Sequence, residues 1–466
     1  MQEAGCRSRR QGQAAGAGGR GRRQEQEAGA GGRGRGQGQE AGDSITQPSP
    51  STENGKMKNV ECQMPNEPCS LSVIISIVPS QSLRLMIVAG EPSGDAHGAA
   101  LMRALRDVAP DLSLEIFGAA GPQMRAAGIE PVVQSDDLSI LGLLEIGRAL
   151  PKFWRAFQAL RRTAIERHPD AVILVDWPDF NLRLARSLHR RGLKTIYYIS
   201  PQLWAWRSHR VKTIARHVDL LLAILPFEPE WYGERGVHHV EFVGHPLAGE
   251  VAARYDREDF CRFNDLDLSR PIISLLPGSR LKELQRILPA MLDAAALIAS
   301  ERPDVQFVLV VAPSRSPQEA KQILSARGLA PTLPENLRIV HHETREALAA
   351  SDAAAVASGT VTLEAALLGT PMVIVYKESA LNWHTLGNLI TTDHYGLVNL
   401  IAGKRIVTEL MQNELNGRRL AAELLSLLDR QRNEEMRNRL REVVQQLGNG
   451  GASRRAAERI LAAVSR

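Results

Sequence analysis

Three short strings hold residues that could do chemistry together. In AVILVDWPDFNLRLARSLHRRG, 171–192, five apolar residues end at Asp176. A carboxylate at the tip of a buried strand can take the proton of a hydroxyl nucleophile. Asp179, three residues on, serves equally as a turn former or helix cap. In LLPGSRLKEL, 275–284, Gly278-Ser279-Arg280 sets a guanidinium at a helix start, where it can pair with a diphosphate beside backbone N–H groups. In SDAAAVASGTVTLEAALLGTP, 351–371, Ser358, Gly359 and Thr360 form a tight turn ahead of a helical stripe of Leu363, Ala366 and Leu367, again open to a phosphate. Glu364 has the wrong sign for that phosphate and suits the hydroxyls of a sugar ring. The 351–371 string also fits a plain capped helix in a parallel α/β domain, and Asp176 and Asp179 could merely satisfy local backbone.

Such turns need strands and helices to hold them. LRLMIVAG, 83–90, runs directly into EPSGDAHGAALMRALR, so Glu91, Ser93, Gly94 and Asp95 sit between a buried strand and a helix. The glycine spacing there is not that of a dinucleotide site, and the two carboxylates would repel a pyrophosphate. PIISLLPGSR, 271–280, repeats the design, and QFVLVVAPS, LRIVHHE and PMVIVYKES supply further strands. Two successive sets of alternating strands and helices predict two Rossmann-like α/β domains, 83–250 and 270–430, facing one another across a cleft. The end of the chain, 419–464, reads as two amphipathic helices around a break at 449–451.

Two stretches suggest contact with something amphiphilic. Residues 138–162 interleave Leu143, Leu144, Leu150, Phe153, Trp154 and Phe157 with Arg148, Lys152, Arg155, Arg161 and Arg162. That pattern fits an interfacial element and equally a core-facing helix pair broken at Pro151; both hold if one face packs and the other touches lipid. The string SPQLWAWRSHR, 200–210, puts Trp204 and Trp206 beside Arg207, His209 and Arg210.

Composition bounds the rest. At 466 residues the chain exceeds one typical core. Residues 1–43 hold eight Arg against five acids, so +3 of the net +5 sits there and the remainder is near neutral. This Gly/Arg-rich extension, 1–80, has too little apolar mass to order itself and is expected to be disordered, with no nucleic-acid partner, since it lacks aromatics for stacking. The apolar run at 71–81 is too short to span a bilayer and lacks the flanks of a secretory signal. Cys6, Cys62, Cys69 and Cys261 form no ligand cluster, and the twelve His never fall at metal-binding spacings, so no metal or other cofactor is expected.

Seven strings together resemble one family: AGEPSGDAHGAALMRAL, VDWPDFNLRLA, YYISPQLWAWRSHRVKTI, FVGHPL, LLPGSRLKEL, ASGTVTLEAALLGTPMVIVYK and GLVNLIAGKRIVTELMQNE. In this order, from residue 83 to the C-terminus, they are similar to the lipid-A-disaccharide synthase family. The resemblance implies a GT-B glycosyltransferase that moves 2,3-diacylglucosamine from UDP-2,3-diacylglucosamine to 2,3-diacylglucosamine 1-phosphate, inverting the anomeric centre. It implies Asp176 as the base. Arg280, Ser358, Gly359, Thr360, Glu364, Asn399 and Gln412 fall on the UDP-sugar side, and Glu91, Ser93, Gly94, Asp95 and Asp179 near the acceptor. It further implies that Leu144, Phe153, Trp154 and Phe157 meet membrane or acyl chains. The protein is then cytoplasmic and peripheral to the inner membrane, and the helices of 431–466 cross back to the first domain. Two departures bear on acyl preference: the segment 380–396 is more polar than such a site suggests, and Met411 stands where Leu is usual.

Overall fold

Strands covered by helices on both faces have no solvent side, so their sequences are continuous apolar runs. Ala171–Val175, Ile272–Leu276 and Ala353–Ala357 are buried at every position. Truncating one Leu or Ile to Ala in such a core typically costs about 2–5 kcal/mol. The structure, a computed structural model, describes residues 82–138, 146–326, 335–379 and 392–465. The disorder expected for 1–80, the Leu144 contact and most of the polar 380–396 segment fall outside the described residues.

The first sheet has seven parallel strands: β1 (Ser82–Ala89), β2 (Ser113–Ala120), β3 (Glu130–Gln134), β4 (Ala171–Val175), β5 (Thr195–Tyr198), β6 (Leu220–Ala223) and β7 (Val240–Phe242). Their order is β3-β2-β1-β4-β5-β6-β7. The second sheet has six parallel strands: β8 (Ile272–Leu276), β9 (Gln306–Val311), β10 (Leu337–His341), β11 (Ala353–Ala357), β12 (Met372–Tyr376) and β13 (Glu409–Met411). Their order is β10-β9-β8-β11-β12-β13. In each sheet the winding reverses once, between β1 and β4 and between β8 and β11. Open parallel sheets leave a crevice beyond the carboxyl ends of those two strands.

Three features depart from the pattern read in the sequence. The helix Ile146–Arg167 runs through Pro151 unbroken instead of forming a pair. The end of the chain forms three helices, Gly417–Leu427, Arg430–Gln446 and Ala452–Val464, because the Asp429 carboxylate caps a fresh start by accepting from Arg432 N at 3.0 Å. Strands β3 and β13 are short edge strands that the apolar pattern did not announce. The last helix packs on Pro92–Val108, with Ala456, Ala457 and Ile460 entering the first sheet's core. Arg455 fastens the return by donating to Val243 O at 2.8 Å and Gly450 O at 2.6 Å.

Candidate active site

At the first reversal, Ala89 pairs with Val175, so the residues that follow, Gly90-Glu91 and Asp176-Trp177, leave the sheet side by side. The approach is close: a methyl group on Gly90 would lie 2.0 Å from the Trp177 ring. Asp176 and Trp177 both adopt left-handed backbone, φ 48° and 52°, which is uncommon outside glycine and costs energy. Buried donors hold the turn there. Asn181 Nδ2 donates to Asp176 O at 2.8 Å and to Val175 O at 3.2 Å, and the Tyr197 hydroxyl donates to Asp176 O at 2.6 Å. The Asp176 side chain is partly exposed. Burial raises its proton affinity and the Glu91 carboxylate adds to this, so its carboxyl is pushed up to about 6.

The other residues of this rim divide by task. Glu91 and Ser93 are exposed and Gly94 is buried. Asp95 is 3% exposed, and its oxygens accept from Gln123 N at 2.8 Å and Met124 N at 3.0 Å, so it caps the neighbouring helix Pro122–Ala126 instead of presenting its charge to a ligand. Asp179 pairs with Arg207 at 2.8 Å and Arg210 at 2.5 Å, tying the 200–210 loop to the start of the helix Pro178–His189. Against the pull of burial, the Arg210 bond and charge hold its carboxyl below the usual range.

At the second reversal, Leu276 pairs with Val356, which brings the turns 277–280 and 358–360 together. Gly278 has φ 110°, and the Glu283 carboxylate folds back to accept from Ser279 N and Arg280 N, each at 3.2 Å. Arg280 Nη1 also donates to Glu283 at 3.1 Å, while the rest of its guanidinium stays exposed. Gly359 has φ 153°, and among the described residues nothing lies within 4 Å of where a Cβ would be, so a ligand can approach that backbone closely. Ser358 Oγ donates to Tyr395 O at 3.0 Å, and Thr360 is exposed. Glu364 accepts from Arg345 Nε at 3.1 Å through one oxygen; its other oxygen has no hydrogen bond among the described residues.

Two residues of the expected donor side brace loops. Asn399 is fully buried, donating to Val407 O and Glu409 and accepting from Ile406 N and Val407 N, which leaves no atom for a ligand. The Gln412 amide clamps the backbone of Glu378, with both contacts at 3.1 Å. Their influence on a ligand would pass through the loops they hold.

An aromatic run leads from the surface to Asp176. Trp154 is 61% exposed and stacks on Phe157 with centroids 6.0 Å apart. Phe157 meets Phe180 edge-on at 5.8 Å, and Phe180 stacks on Trp177 at 4.0 Å. Phe153 lies 5.9 Å from Trp177. The sequence reading passed over Trp177, Phe180, Asn181 and Glu283. Asn181 had a signal, as a polar residue on an otherwise apolar helical stripe, and Glu283 stood three residues after a helix start. Among the described residues no three His, Cys, Asp or Glu gather as a metal site, and no helix is long and apolar enough to cross a membrane.

Comparison with known proteins adds an independent line. The family model described as lipid-A-disaccharide synthetase matches residues 85–464. A lipid-A-disaccharide synthase of Geobacter sulfurreducens is 42% identical over 381 residues, covering 82% of this chain and 97% of that protein. Among solved structures, a UDP-GlcNAc 2-epimerase from Neisseria meningitidis bound to UDP-GlcNAc aligns with a TM-score of 0.54 at 10% identity, over 82% of this chain and all 100% of that one. A calicheamicin glycosyltransferase aligns with a TM-score of 0.51 at 16% identity, over 83% of this chain and 99% of that one. The two structures share the GT-B fold with this chain.

Proposed function

The chain belongs to the lipid-A-disaccharide synthase family, and from that premise we propose that it transfers 2,3-diacylglucosamine from its UDP carrier to the 6-hydroxyl of 2,3-diacylglucosamine 1-phosphate. The products are the β(1→6) lipid A disaccharide 1-phosphate and UDP. An α-linked donor and a β-linked product require one inversion, which a single in-line displacement supplies.

Asp176 takes the acceptor's hydroxyl proton as the oxygen bonds to the anomeric carbon, and the bond from that carbon to the diphosphate breaks. The observation that carries this reading is a carboxylate at a sheet reversal, on a left-handed turn braced by Asn181 and Tyr197, with its proton affinity raised to about 6. Such a group is ionised at neutral pH yet more basic than an ordinary aspartate. On the other domain, Arg280 and the open backbone at Gly359 meet the departing diphosphate. The second oxygen of Glu364 accepts from the ribose.

An acceptor with two acyl chains stays in a leaflet, so the enzyme must come to it. Exposed Leu150 and Trp154, flanked by exposed Lys152 and Arg155, suit the surface of an anionic membrane. The aromatic run then offers an apolar path toward Asp176. The protein works peripherally at the inner membrane in this reading. The test is incubation with both acylated substrates, reading UDP release, product mass and the anomeric proton coupling. We expect a β-linked disaccharide in step with UDP; UDP release without disaccharide, or no turnover by folded protein, contradicts the assignment.

A further inference from the structure

The second domain carries a basic pocket on the rim away from the turns 277–280 and 358–360. It has a volume of about 380 Å³ and is lined by Arg257, Arg270, Arg302, Arg430 and Arg437 against two carboxylates, Asp352 and Glu434. Ile272 at the start of β8 donates its N–H to Asp352, just ahead of β11, which fixes the pocket at the amino ends of the strands. The reaction proposed above uses none of these residues.

Of the five guanidiniums, Arg302 is paired with Asp304 at 2.9 and 2.7 Å and Arg257 with Asp352, while Arg270, Arg430 and Arg437 have no carboxylate partner in a hydrogen bond among the described residues. Arg257 makes a two-pronged pair with Asp352, both contacts at 3.0 Å. Arg270 is held by the backbone oxygens of Asp304 and Pro303, and Arg437 by those of Gly369 and Ser351 and by Asn433. These carbonyls orient the forks without neutralising them. Each guanidinium has five N–H donors, so directions remain for a ligand. Burial pulls the Arg437 guanidinium below its ordinary proton affinity, against the nearby Asp352 carboxylate, which raises it, and with the Arg257 charge, which lowers it further. Arg430 has no side-chain partner among the described residues and opens the helix Arg430–Gln446, so Arg430, Asn433, Glu434 and Arg437 share the helical stripe facing the pocket.

We propose that this pocket binds a phosphate group, carried either on a free small molecule or on a lipid headgroup. Planar forks held in advance, arriving from several segments, match the tetrahedral oxygens of a phosphate better than a single lysine would. The pocket joins the interdomain connector, through Arg257 and Arg270, to the helix leading to the return crossing. An occupant would therefore fasten the two segments that link the domains.

The experiment uses the full chain carrying Arg280→Ala, so that the nucleotide turn contributes little. Inorganic pyrophosphate is titrated by calorimetry, and vesicles of phosphatidylcholine with or without phosphatidic acid are tested by sedimentation. Adding Arg430→Glu should weaken binding by about tenfold, the loss of one charge-assisted contact. A carboxylate at this helix start is compatible with folding, and circular dichroism checks it. Arg430-dependent binding of pyrophosphate indicates a free ligand, and Arg430-dependent binding of phosphatidic acid vesicles alone indicates a headgroup. No binding of either probe, or affinities unchanged by both Arg430→Glu and Arg302→Gln, overturns the proposal.

Discussion

A carboxyl raised to about 6 sits between two demands, ionised at neutral pH yet basic enough to pull a proton in the transition state. In its proposed role as base, Asp176 is active when deprotonated, so kcat/KM should rise with pH through about 6 and level off above it. Burial is the main cause of the shift and Glu91 the second. Glu91→Gln should therefore move the acid limb of the pH profile to lower pH; a limb that stays put or moves up would show that Glu91 does not act on Asp176. Glu228 makes a second case. It is fully buried, pushed up to about 7 mainly by burial, and accepts from Trp204 Nε1 at 3.2 Å and Leu225 N at 3.0 Å beneath the 200–210 loop. A carboxyl whose folded value lies above its unfolded one contributes stability that is full below about 4.5 and lost as pH rises through about 7. Glu228→Gln should remove that loss, worth on the order of 3 kcal/mol. Urea midpoints at pH 5 and pH 8 measure it, and the variant should gain on the wild type at the higher pH. At this scale the sequence exposed Asp176 because an apolar run stops at it. It could not separate Asp176 from Asp95, since both follow a buried strand, and only the partners at Gln123 and Met124 assign Asp95 to capping.

The helix Ile146–Arg167 has one face buried in the protein and another that presents large apolar side chains to the outside. Its Ala156, Leu160 and Ala164 are buried, while Leu150 and Trp154 are 64% and 61% exposed. The alternation of large apolar and basic residues already told of two faces, and a single helix through Pro151 accommodates both. Trp154→Glu should leave far-UV circular dichroism unchanged and weaken binding to anionic phospholipid vesicles by about tenfold or more, because an exposed aromatic that would enter the membrane is replaced by a charge repelled at that surface. Equal sedimentation of variant and wild type with vesicles would move the membrane face elsewhere. Element by element, long central strands were legible from composition because both faces are buried. Strand β13 was not, because three residues carry no period, and the break before Arg430 was not, because a single Asp cap interrupts an otherwise continuous amphipathic pattern.

Across the whole molecule, the GT-B fold and the family were legible because collinear strings fall at the strand ends of both sheets. The repeated strand, glycine turn and helix at 83–106 and 271–298 pointed to paired parallel sheets, and both sheets reverse winding beside the turns that the repeat marked. What sequence alone withheld is the bracing. Asn399, Gln412 and Glu283 lie in or near motif strings but spend their polar atoms on neighbouring groups of the protein, a distinction that only three-dimensional partners make. The account divides labour between two domains, with the base on one and the nucleotide on the other. Asp176→Asn tests that division most directly, with turnover and UDP affinity measured on the same folded protein. The account predicts a fall in kcat of about a thousandfold with the Kd for UDP unchanged. Retention of most of the rate would place the base elsewhere, and an equal loss of UDP affinity would contradict the division itself.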